Sequence, residues 1–264
     1  MNELRAHTLE HVVERTILIL AKRETVFRFF TDSARFASWW GAGSSIDARE
    51  GGAVVIRYPN GETASGEILS ISPPEEIVFT YGYDAPGKLI APGGSTVRIG
   101  FEARRGGTLV NLRHEVDSAK VKAAHVAGWR HQLALFSNAV SNELAESLAG
   151  VLDSYFAAWN GKSAGERAKA LDASVSDDVT LRDAYAALFS RAELEEHLAI
   201  VPIYMPGMTL KRTGSPRHCQ GTGTVDWVME GPDGAVRGRG TNVFDVAEDG
   251  RLLRIVGLWG APGS

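Results

Sequence analysis

The chain has 264 residues, 44% of them apolar and 23% charged, which is long for one domain and comfortable for two. Its formal net charge of −4 comes from interspersed charges, without the clustered Lys and Arg that a nucleic-acid surface needs. A single cysteine, Cys219, excludes an intramolecular disulfide, and no segment approaches the roughly 18 apolar residues of a membrane span. With charges throughout MNELRAHTLEHVVERT and one cysteine suited to a reducing compartment, the chain reads as cytoplasmic.

The first domain, taken as 1–145, opens with a strand in VERTILILA, rich in β-branched and aliphatic residues. RETVFRFFTD places Val26, Phe27 and Phe30 at helical spacing, and Asp32 or Ser33 can cap a second short helix. On that helix Phe36, Trp39 and Trp40 make one broad stripe, so one tryptophan packs inward while the other covers its edge. Gly41 and Gly43 then let the chain turn away. AVVIRY and ETASGEILSI are strands joined through Pro59-Asn60-Gly61, a hairpin signal. IVFTYGY sets Ile77, Phe79, Tyr81 and Tyr83 on one face, and DAPGKLIAPGGS is a flexible rim. TVRIGFEA and TLVNLRHEV form a second hairpin. A long helix from about Ser118 carries Trp129, Leu133, Phe136, Val140, Leu144 and Leu148 as its buried stripe. An antiparallel sheet gripping a long helix leaves a pocket between them, with the paired tryptophans at its mouth.

The second domain, 146–264, begins with the helix ESLAGVLDSYFAAWN. SAGE and SRAE match the capping box, so helices start at Ser163 and Ser190. DDVTLRDAY is a short strand, and Leu194, His197, Leu198 and Val201 form a stripe on the later helix. Four strands follow, around TLKRT, TGTVDWVME, VRGRGTNVFDV and RLLRIVGLW. Helices followed by a curved sheet make another cone with an apolar interior. The fold class is therefore α+β in both halves, and the long helix is expected to lead almost directly into the second domain.

Three stretches, VFRFFTDSARFASWWG, GEILSISPPEEIVFTY and HVAGW, occur in this order over about residues 11–145. There the chain resembles the activators of heat-shock-protein ATPase homologues, a branch of the START-like helix-grip superfamily. The resemblance implies a fold with a hydrophobic cavity; aromatase/cyclase-like, lipid-binding and chaperone-associated proteins are among its members. Over about 147–261, YFAAWN, SDDVTLRDAY, SRAELEEHL and GRGTNVFDVAEDGRLLRIVGLWG resemble the SnoaL-like branch of the nuclear transport factor 2-like superfamily. That superfamily holds ketosteroid isomerase and polyketide cyclases beside non-catalytic members. In the isomerase pattern a tyrosine of the first helix donates a hydrogen bond and an aspartate on the next short strand removes a proton. Tyr155 and Asp183 match those positions, whereas the second, carboxylic donor falls near Arg239.

Candidate residues carry competing readings. An apolar cone can raise the pKa of Asp183, and the Tyr155 phenol can stabilise an enolate oxygen. Alternatively Tyr155 is a core aromatic and Asp183 caps local backbone. Asp226 and Arg239 can substitute for the missing donor, but alternation sets Asp226 opposite Val225 and Trp227. His197 sits on an apolar stripe. His114 shares a strand face with Val110, Leu112 and Val116 and can point into the first cavity, as can the hydroxyls of Tyr81 and Tyr83. His125 lies one turn before Trp129. Trp39, Trp40, Trp129 and Trp227 suit a wall around an apolar guest as well as a core.

The histidines show no zinc spacing, GTG and GRG lie in strands, and no nucleophile elbow is present, so no metal or other cofactor is expected. The leading expectation is binding of a small hydrophobic molecule in the START-like cavity, without nucleic-acid or membrane partners. The alternatives are an isomerase or polyketide cyclase-like enzyme using Asp183 and Tyr155, and a chaperone-associated or homodimeric interaction protein.

Overall fold

The structure is a computed structural model that describes residues 10–260. The chain folds as two compact units that divide between Val140 and Ser141.

The first unit contains, in order, β1 (His11–Ile19), α1 (Arg23–Arg28), α2 (Ser33–Trp40), β2 (Ser45–Ile46), β3 (Ala53–Arg57), β4 (Thr63–Ser72), β5 (Glu76–Tyr83), β6 (Ser95–Arg104), β7 (Gly107–Val116) and most of α3 (Ala119–Ala145). Its seven strands form one sheet in the order β1-β7-β6-β5-β4-β3-β2. Each pair is antiparallel, and the first strand of the unit in sequence, β1, pairs with the last, β7. The expected hairpins are present: Tyr58 and Glu62 flank the Asn60-Gly61 turn, and Arg104 pairs with Gly107 across the second.

Short helices survive here because their ends are satisfied and their faces buried. The Asp32 carboxylate accepts from the Arg35 backbone N–H at 2.9 Å and so caps α2, while Ser33 instead bonds the backbone of Ile46. α2 stops at Gly41, whose φ of 141° is open to glycine; a Cβ there would lie 2.1 Å from the Arg57 carbonyl oxygen. The core between helices and sheet is aromatic. Phe30 stands edge-on to both Phe101 and Phe136, each at 5.3 Å between ring centroids, and Phe27 meets Phe101 at 5.2 Å. Burying one such ring contributes about 1.5–3 kcal/mol before its edge contacts are counted.

The second unit contains α4 (Leu148–Trp159), α5 (Ala164–Ser174), β8 (Val175–Arg182), β9 (Ala187–Leu188), α6 (Arg191–Tyr204), β10 (Thr209–Cys219), β11 (Thr222–Glu230), β12 (Val236–Val246) and β13 (Leu252–Trp259). The sheet order is β10-β11-β12-β13-β8-β9, antiparallel except where β13 runs parallel to β8. Ser163 and Ser190 cap α5 and α6 as their motifs require, each accepting a backbone N–H three residues on at 3.2 Å. Leu148, Leu152, Tyr155 and Phe156 of α4 and Leu194 and Leu198 of α6 are buried with Val225, Trp227, Phe244 and Ile255 of the sheet. Leu148 thus belongs to α4 and not to the stripe of the long helix, because α3 ends at Ala145 before a break at Glu146 and Ser147. Among the described residues, no helix is long and apolar enough to cross a membrane.

Candidate functional sites

In the first unit a cavity of about 440 Å³ lies between α3, the end of α2 and the β3–β5 part of the sheet. That is large enough for a small organic guest, since such sites run from about 300 to 1,000 Å³. Trp40 and Trp129 form its aromatic wall, 5.7 Å apart and nearly perpendicular. Its polar side is made by Tyr58, Tyr81, Tyr83 and His125. The hydroxyls of Tyr58 and Tyr81 are 2.7 Å apart and hydrogen-bonded, and Tyr83 also interacts with the Tyr81 hydroxyl. Burial pushes the Tyr58 and Tyr81 phenols above their ordinary range, so they face a guest as neutral hydroxyls. His125 Nδ1 donates to the Val121 carbonyl at 2.8 Å, which leaves Nε2 facing the Tyr83 hydroxyl at 3.5 Å.

Two candidates from the sequence stand behind this wall. Trp39 packs into the core, 4.8 Å from Phe136 and 5.4 Å from Phe30, so both tryptophans of the pair are buried and only Trp40 borders the cavity. His114, fully buried, is the centre of a relay. The Trp129 indole N–H donates to Nδ1 at 2.9 Å, so Nε2 carries the proton and donates to Ser95 Oγ at 2.8 Å; Ser95 in turn donates to the Tyr81 carbonyl at 2.8 Å. Burial, reinforced by charge on His125, pulls the His114 pKa down to about 3. The relay holds Trp129 and the Tyr81 backbone in place for the cavity. Tyr58 and Gln132 were not singled out from sequence. Yet Tyr58 continues the alternation of Val54 and Ile56, and Gln132 follows Trp129 by three on α3, so both signals were present.

The second unit has a cleft of about 940 Å³ and, at its inner end, a pocket of about 50 Å³, which admits a few waters at most. Asp183, Trp159 and Trp259 border both. Tyr155 and Trp227 border the inner pocket, and His197 the outer cleft, where its ring is 5.9 Å from that of Trp159. Tyr155 and Asp183 are thus brought to one pocket. Burial pushes the Tyr155 hydroxyl above its usual value; the Trp159 indole N–H partly offsets this and the Asp183 charge adds to it. Asp183 Oδ1 caps a turn, accepting from the backbone N–H groups of Tyr185 and Ala186 at 2.7 and 2.8 Å. Its other oxygen remains toward Gly257, where a Cβ would lie 3.0 Å from the Asp183 Cβ and 3.4 Å from Asn242 Oδ1.

Asn242 also borders the inner pocket. It is buried, and its Oδ1 accepts the Trp227 indole N–H at 3.0 Å. Because an indole only donates, that contact fixes the orientation of the amide. Asp226 is exposed and bound by Thr241 at 2.6 Å, and Arg239 borders the outer cleft. Alternation from the buried Phe244 puts Asn242 on the same inward face of β12. No group of three or more metal-ligating side chains occurs among the described residues.

Residues 20–141 match the family model described as activator of Hsp90 ATPase homolog 1-like protein, within the stretch whose motifs resemble that family. No curated protein matches the chain. Among solved structures, the chain is similar to a SnoaL-like family protein from Agrobacterium tumefaciens, at 19% identity over 44% of this chain and 99% of the other, with a TM-score of 0.42. It is also similar to an Aha1 dimer from Colwellia psychrerythraea, at 17% identity over 49% of this chain and 96% of the other, with a TM-score of 0.43.

Proposed function

We propose, starting from the family match of residues 20–141, that the first unit binds a small hydrophobic molecule carrying a hydrogen-bonding group. The observation that supports this is the cavity itself: two indoles form an apolar wall, and the hydroxyl-bearing Tyr58, Tyr81 and Tyr83 form the other side. Titration with the neutral dye Nile red, displaced by a naphthol, tests the reading. Gly128 borders the cavity, and a Cβ on it would meet nothing within 4 Å. Gly128→Leu is therefore expected to fill the space and weaken binding at least about tenfold, while helix propensity keeps the fold intact. Unchanged dye binding in Gly128→Leu, or no displacement by naphthol, defeats the proposal.

A second reading is favoured by the meeting of Tyr155, Asp183 and Asn242 in one pocket. In it the free Asp183 oxygen takes a proton from carbon next to a carbonyl, the Tyr155 hydroxyl donates to the resulting enolate oxygen, and the proton returns at another carbon, which isomerises the substrate. Asn242 borders the same pocket, whereas the carboxylic donor that the resemblance implies falls near Arg239. Asp183→Asn is expected to lower turnover of an enolisable ketone by at least about a hundredfold and to shift the melting temperature little, since an amide oxygen can still accept both backbone N–H groups. A large loss of stability with turnover unaffected would make Asp183 a turn cap alone.

A further inference from the structure

The outer cleft of the second unit has a wall and a charge that the isomerase reading leaves unused. Tyr185 and Tyr204 border it yet are 75% and 78% exposed, and Ile200 and Val236 are each 46% exposed. Large apolar side chains left in water and gathered at one opening mark a binding surface. Deeper in, Trp159, Met229 and Trp259 continue the apolar lining, and Tyr185 stands edge-on to Trp259 at 5.1 Å.

Two guanidinium groups border the same cleft. Arg237 is occupied by Asp233 at 2.6 Å. Arg239 has no hydrogen bond or ion pair from its side chain to any described residue, so its fork of donors is open. Such a fork matches the two oxygens of a carboxylate. The negative Asp183 lies at the inner junction, which repels an anion there and directs it to the Arg239 end. A phosphate monoester brings nearly two charges and would meet one open cation, so a monoanion fits better.

We propose that this cleft binds an aromatic or alicyclic carboxylic acid, its apolar body against Trp159, Met229 and Trp259 and its carboxylate on Arg239. The inference deepens the second reading by naming the charge of that site's ligand, and it requires no chemistry at Asp183. The test is titration with pyrenebutyrate, its neutral alcohol pyrenebutanol and the corresponding pyrenebutyl phosphate. The intact chain should prefer the acid to the alcohol by about tenfold. Arg239→Gln should abolish that preference without weakening the alcohol, and Arg239→Lys should keep part of it. Equal affinity for acid and alcohol, no binding of either, an unchanged preference in Arg239→Gln, or tighter binding of the phosphate would each overturn the proposal. Asp183→Asn with unaltered turnover would end the isomerase reading alone, whereas loss of the acid preference leaves that reading standing.

Discussion

Acidification is expected to strip stability from the first unit through one residue, His114. Unfolded, its imidazole has the ordinary pKa of 6.5; folded, burial holds it down to about 3, so the folded state refuses a proton that the unfolded state accepts. The contribution is therefore complete above pH about 6.5 and is lost as the pH falls toward 3, at roughly 1.4 kcal/mol per pH unit. Between about pH 7 and pH 5 the unit should lose about 2 kcal/mol more than a His114→Gln variant, whatever that variant's starting stability. Urea unfolding at the two pH values, followed through peptides of β6 and β7 by pulse-labelling exchange at one fixed labelling pH, measures the difference. Parallel pH profiles for the two proteins would show that His114 accepts a proton without leaving its relay. The physical reason for the large effect is that both ring nitrogens are already committed, one accepting from Trp129 and one donating to Ser95.

Gly240→Ala is expected to cost the second unit about 3 kcal/mol or more. The added Cβ would lie 2.3 Å from the Leu258 carbonyl oxygen and 2.4 Å from Trp227 Cζ2. One clash presses on the β12–β13 ladder and the other on the indole that orients Asn242, so neither is relieved by rotating a side chain's end. Gly150→Ala, on α4 with nothing within 4 Å of the new atom, should instead gain about 0.5–1 kcal/mol from helix propensity. Urea denaturation of both variants gives the comparison. Equal stabilities would mean that β12 and β13 separate readily at this point.

Those two glycines show what the sequence could and could not reveal. A glycine in GRGTNVF reads as a weak point in a strand, and only the packed indole explains it. Elements whose causes are local were legible: Asp32, Ser163 and Ser190 cap their helices as their spacing requires, and Asn60-Gly61 turns its hairpin. β2 and β9 have two residues each, too few for any period, and exist because a neighbouring strand offers an edge. The pocket residues were legible in part. Tyr81, Tyr83, His125, Trp40 and Trp129 border the first cavity because alternation and helical spacing fix the face of each. Whether Trp39 or His114 reaches the space or stops one layer short depends on contacts distant in sequence, such as Trp129 with His114. Periodicity is blind to these. Asp183 illustrates the same limit, since one carboxylate both caps a turn and borders a pocket.

Gln132 offers a final consequence. Its amide donates to the carbonyl of Trp39, in the last turn of α2, where helical bonding leaves carbonyls open. The short helix bearing Trp40 is thereby moored to α3, the helix bearing Trp129, by a residue that itself borders the cavity. An engineer wishing to resize the chamber would do well to begin at this tether, because adjusting its length shifts the ceiling while every tyrosine keeps its station.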